Sequence, residues 1–185
     1  MSSETTDFLY HSILDTQATI RAADIKLGVL FAVVLLPVVA LSEICTVLTN
    51  LIQCSLFFLF IGIAIGLFWL LSFYTLFLGL MSISNPSKVV SKDGVEGSFY
   101  AGDLFDFGVI DRLINFPIKS NLTVNELAEV LPNDEQAVIR ELTFEKIKLS
   151  YIRDLKSMRV SQCICLVLSW MITGIVVWGI YLLGV

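Results

Sequence analysis

Arg21, Asp24 and Lys26 stand immediately before an apolar run, in "RAADIKLGVLFAVVLLPVVAL". A fixed acid at the lip of a membrane segment is costly unless it meets a cation or water. Two readings follow. The charges mark where the bilayer begins, or Asp24 has a partner and a task. Arg21 lies one turn earlier on the same helix. A second source of cations is the cluster Lys146, Lys148, Arg153, Lys156 and Arg159, just ahead of the last apolar run. A pair between Asp24 and that cluster would fix two helices in register, so Asp24, Lys26 and Arg21 are the candidate structural or gating residues.

The basic cluster has two readings of its own. Cations beside a membrane span meet anionic lipid on the cytoplasmic side. Arranged around a point, they would instead hold a phosphate. Glu141, Glu145 and Asp154 dilute the field. His11 is the single histidine, and Cys45, Cys54, Cys163 and Cys165 lie in or beside apolar segments. Neither metal-ligand spacing nor a Cys–His pair results, and the cysteines read as small hydrophobes. The residues offer no nucleophile–base pair and no glycine-rich phosphate loop after a strand. We therefore expect no catalytic residue, no metal and no enzyme. A net charge of −5 argues against broad nucleic-acid binding.

These residues must be carried by membrane helices. Of 185 residues, 56% are hydrophobic and only 16% charged, and the mean hydropathy is +0.83. Soluble domains carry about a quarter charged residues. The deficit is concentrated in three runs, at 25–42, 51–82 and 161–185. Pro37 lies within the first and predicts a kink. The second has no charge and would be about 45 Å long as one helix, more than the hydrocarbon core, so tilt or protrusion is expected. "EICTVLTN" reads as a short link between the first two spans. No secretory signal is expected, since the first apolar run begins after a polar arm. All twelve lysines and arginines lie within 21–26 or 88–159. Positive-inside counting places the N-terminus and the middle region in the cytoplasm, and the link and Val185 outside.

The expected fold is an all-α membrane protein: three transmembrane helices with cytoplasmic helical extensions. Residues 1–24 form a cytoplasmic amphipathic arm, 25–82 two spans, 83–160 a cytoplasmic helical region and 161–185 the third span. In the middle region Pro86 and "SKDGVEGS" predict turns, and "FYAGDLFDFGVIDRLINF" a short helix. Thr123 with Glu126, and Asn133 with Gln136, fit capping boxes. From Asp134 one helix can run into span three, about 75 Å in all. Phe144, Ile147, Tyr151, Leu155 and Met158 form a stripe on it, and Leu9, Ile13, Thr16 and Ile20 a weaker one on the arm. Both predict helix–helix seams. Gly62 and Gly66 make a GxxxG that permits close approach between helices, hence a homo-oligomer. Asn121-Leu-Thr matches a glycosylation acceptor, but the expected topology places it in the cytoplasm.

Three features together are similar to a known family. They are "AADIK" before span one, "DLFDFGVI" at 103–110 after an Asn85-Pro86 exit from span two, and the long amphipathic helix entering a last span. The layout resembles the transmembrane effector family of bacterial Pycsar anti-phage systems, with Leu27 where that family often has alanine. The resemblance implies an inner-membrane protein that responds to a cyclic pyrimidine mononucleotide, cUMP or cCMP, made by a partner cyclase, and then impairs the membrane. It implies no particular nucleotide-binding residues. The SLATT-type membrane effectors have a similar layout. The rival from another class is a structural or scaffold subunit of a membrane complex with no ligand.

Overall fold

The structure is a computed structural model that describes residues 2–81, 90, 120–121 and 123–183. Among these every regular element is a helix: α1 Ser2–Val39, α2 Leu41–Cys54, α3 Phe57–Leu80, α4 Val124–Val130 and α5 Glu135–Leu182. Three of them, α1, α3 and α5, are long and apolar enough to cross a membrane. The turn-rich stretch at 91–98, the Asn85-Pro86 exit and the helix expected over "DLFDFGVI" lie outside the described residues.

The chain forms two compact units, one of residues 1–19 with 83–153 and one of residues 20–82 with 154–185. In the first, Leu9, Ile13 and Thr16 are buried, as the arm's spacing predicts. Lys146 Nζ stands 5.1 Å from the centre of the Phe8 ring, a cation–π contact that joins the arm to α5. Thr123 caps α4. Its hydroxyl accepts from Glu126 N–H, and the Glu126 carboxylate accepts from Thr123 N–H at 2.7 Å. The carboxylate also accepts from the Thr123 hydroxyl at 2.8 Å, and the backbone N–H and hydroxyl together hold it below the ordinary glutamate range. The cap of α5 sits one residue later than the Asn133 spacing predicts. Asp134 Oδ1 accepts from Ala137 N–H at 2.6 Å, because an aspartate reaches the free amides of a helix start as well as asparagine does.

The second unit is a bundle of residues 20–39 of α1, α2, α3 and residues 154–182 of α5. Leu27, Val34, Leu76, Val160, Cys163 and Val167 form one core, and Val47, Leu51, Phe58 and Val177 another. Two boundaries differ from the sequence expectation. The first span ends at Val39, and the presumed link is the helix α2. The uncharged 51–82 run is also divided. Ser55 is extended, with φ −160° and ψ 136°, and its hydroxyl accepts from Phe57 N–H at 3.3 Å. A serine can satisfy a free amide at a helix start with its own side chain, so the break needs neither glycine nor proline. The second span therefore begins at Phe57 and is about 36 Å long. Its excess over the hydrocarbon core falls to about 6 Å, so less tilt or protrusion is needed than for one helix over the whole run.

Candidate functional site

The candidate site follows from the register of two helices. Along α1, Leu9, Ile13, Thr16, Ile20, Asp24, Leu27 and Val34 recur at intervals that keep one face, all buried or half-buried. On α5 the corresponding face is Leu142, Glu145, Leu149, Ile152, Lys156, Val160, Cys163 and Val167, in steps of three and four. This is the spacing of a helix seam. Each seam carries a charge where the apolar run begins, Asp24 on α1 and Lys156 on α5.

Those two charges meet. Lys156 Nζ donates to Asp24 Oδ1 in a direct ion pair. The lysine side chain is 13% exposed and the aspartate 45%. The cation is thus the more costly member to leave alone, and the acid keeps an open side. Three residues later Arg159 donates from its guanidinium to the Leu78 carbonyl. Leu78 belongs to the last turn of α3, whose carbonyls have no partner within the helix. The arginine supplies one, and its charge suits the negative end of the helix dipole. The two bonds tie α1 and α3 to the same short stretch of α5.

Two contacts support this belt. Gly79 lies against Leu27: a Cβ at Gly79 would approach both Leu27 methyl carbons at 3.0 Å. Leu27 itself is fully buried. Deeper in the bundle, Trp69 Nε1 donates to the Val34 carbonyl at 2.8 Å. Pro37 has no N–H for the neighbouring Val33 carbonyl, and its ring crowds that turn. A tryptophan donor from α3 then meets the backbone of α1 where its own ladder is weakened.

The remaining candidate residues fall elsewhere. Arg21 and Lys26 are exposed, and the acid's described partner is Lys156 rather than Arg21. Among the proposed phosphate residues, Lys146 faces Phe8, Lys148 pairs with Glu145, Lys156 holds Asp24 and Arg159 holds Leu78. Arg153 is half-buried. Each of these five cations is already engaged, so a phosphate would have to compete for them. The stripe expected to form the seam is displaced. Phe144 is buried, but Ile147 and Met158 are each 49% exposed, Tyr151 is 36% exposed and Leu155 is half-buried. The face buried within the chain lies one to two residues on, about 140° round the helix. Its charges explain the difference. Glu145 and Lys148 pair with each other and Lys156 with Asp24, and pairing lets all three lie on the inner face. The GxxxG also separates. Gly62 faces Leu48 of α2, with 3.0 Å from a built Cβ to the leucine methyl, while Gly66 has open space. Gly79 is the glycine set against a core span residue, and its position near a helix end carried no motif to find it by.

No family model, curated protein or solved structure matches this chain.

Proposed function

We propose that the chain is a membrane effector whose bundle is held in a resting arrangement by the Asp24–Lys156 pair and released by a signal. The observation that carries this reading is a largely buried lysine at the start of the apolar part of α5, matched by one acid on the neighbouring span. A buried ion pair is a poor device for stability alone, because apolar side chains of similar volume hold as well or better. It serves well where an arrangement must be specified and then broken. The resemblance described above supplies the signal in this proposal, cUMP or cCMP from a partner cyclase. The response is impairment of a bacterial inner membrane. The proposed orientation, N-terminus in the cytoplasm and C-terminus outside, rests on the lysine and arginine distribution and puts the pair on the cytoplasmic side. Exposed Ile147 and Tyr151 support assembly into a homo-oligomer.

The test is leakage of a trapped dye from liposomes carrying the purified full-length chain. Release on addition of cUMP or cCMP, and none with cAMP, is the expected result. Asp24→Asn should leak without nucleotide if the pair is the latch. A tight membrane in every condition, with both nucleotides and in the variant, overturns the effector reading and leaves the scaffold subunit. Leakage by the wild type without any nucleotide supports a constitutive pore of the SLATT-like kind.

A further inference from the structure

The opposite end of the bundle carries a second polar site. On α2, Ser42, Glu43, Thr46, Thr49 and Asn50 share one exposed face, while Val47 and Leu51 are buried toward Phe58 and Val177. Glu43 is the only charged residue between Lys26 and Lys88. Beside it, Trp178 and Tyr181 stand on one side of α5, with ring centres 6.4 Å apart and planes inclined at 58°. Asn50 Nδ2 reaches Tyr181 Oη at 3.5 Å. Ser42, Glu43, Thr46, Val47, Trp178 and Tyr181 line a cleft of about 300 Å³.

The chemistry of this cleft is one-sided. Thr46 donates its hydroxyl to the Ser42 carbonyl, so toward the cleft it offers acceptor lone pairs. The carboxylate adds a full negative charge, and the cleft is lined by two aromatic rings, whose faces carry the negative side of a quadrupole. No lysine or arginine among the described residues lies at this end of the bundle. Such a set suits a small organic cation. Its depth points to the source. From Lys156 to Trp178 the rise along α5 is about 33 Å, close to one hydrocarbon thickness. With the Asp24–Lys156 pair at one boundary, the cleft lies at headgroup level in the other leaflet. Aromatic residues alone are common there as membrane anchors. A lone carboxylate beside them is not part of that pattern.

We infer that the cleft binds the ammonium group of an aminophospholipid headgroup, with Glu43 as counter-ion and Trp178 and Tyr181 as cation–π partners. This inference stands apart from the effector reading, since a scaffold subunit would carry the same site.

The experiment is native mass spectrometry of the full-length chain, released from bilayers of equal phosphatidylethanolamine and phosphatidylglycerol. The wild type should retain the ethanolamine lipid at least about fivefold over the glycerol lipid. Glu43→Gln should lower that retention roughly tenfold, the loss of one charge-assisted hydrogen bond. Trp178→Leu should lower it as well, while Glu129→Gln on exposed α4 should leave it unchanged. Helical circular dichroism checks the folding of each variant, and Trp178→Phe, which keeps an aromatic face, should fall between wild type and Trp178→Leu. Equal retention of both lipids by the wild type, or unchanged retention in Glu43→Gln, overturns the inference. A fluorescence response to soluble ethanolamine with no preference between the lipids would assign the cleft to free amines and overturn the lipid assignment.

Discussion

Removing either member of the Asp24–Lys156 pair should have unequal consequences. Asp24→Ala leaves the ammonium of a side chain only 13% exposed without its counter-charge. Breaking a fully buried pair costs about 3–5 kcal/mol, whereas a surface pair contributes about 0–1 kcal/mol. With one partner buried and the other 45% exposed, screening on the acid's side reduces the buried figure, and we expect about 2–3 kcal/mol. Lys156→Met leaves the half-exposed acid, which can turn to water, and supplies an apolar side chain to the seam. Its cost should stay below about 1 kcal/mol. In the double variant the orphan charge is gone, so stability should return to within about 1 kcal/mol of wild type. The assay is reversible thermal unfolding of the purified chain in one detergent, followed by circular dichroism. For a chain of this length 1 kcal/mol corresponds to about 2–4 °C. Asp24→Ala should therefore melt roughly 5–10 °C lower, with Lys156→Met and the double variant near wild type. Equal losses in the two single variants, or an additive double variant, would refute the asymmetric burial on which this rests.

Gly79→Val should destabilise the bundle by about 1–3 kcal/mol through overpacking against Leu27, and Leu27→Ala should recover part of that loss in the same melting assay. The Glu126 carboxyl is held low by its bonds to Thr123, so its stabilisation of α4 is complete above the ordinary glutamate pKa, about 4.3, and is lost as pH falls through the lower folded value. The Thr123 amide signal in an NMR titration should follow that loss, and Glu126→Gln should flatten it. A periplasm-active reporter fused after Val185 should work and one at Lys92 should not; the reverse would overturn the proposed orientation.

Much of the fold is written in hydropathy, which needs no tertiary information. Three apolar helices, the arm's buried stripe, the α4 capping box and the long α5 all follow from spacing and composition. The errors share one cause. An apolar stripe is read one residue at a time, and that reading leaves out charged residues whose pairing lets them lie inward. A seam containing Glu145 and Lys156 is legible only when their partners are known, and Asp24 lies 132 positions from Lys156. The Asp24 question was visible in sequence; which of several cations answers it was not. The break at Ser55 and the fit of Gly79 to Leu27 depend on local hydrogen bonding and on a distant side chain. Neither leaves a periodic mark.

The first two membrane limbs double back at Ser55, and that turn gives them a shared reach. Beyond Ala40, α2 carries on beside α3: Leu48 lies against Gly62, and Leu51 packs with Phe58. From Leu27 to Leu51 the α1–α2 limb rises about 36 Å, and from Gly79 back to Phe58 α3 rises about 32 Å. The two limbs therefore call for nearly one bilayer thickness, and neither adds a mismatch of its own. Acyl-chain length then acts on the hairpin as a unit, and both limbs should tilt together as the lipid shortens.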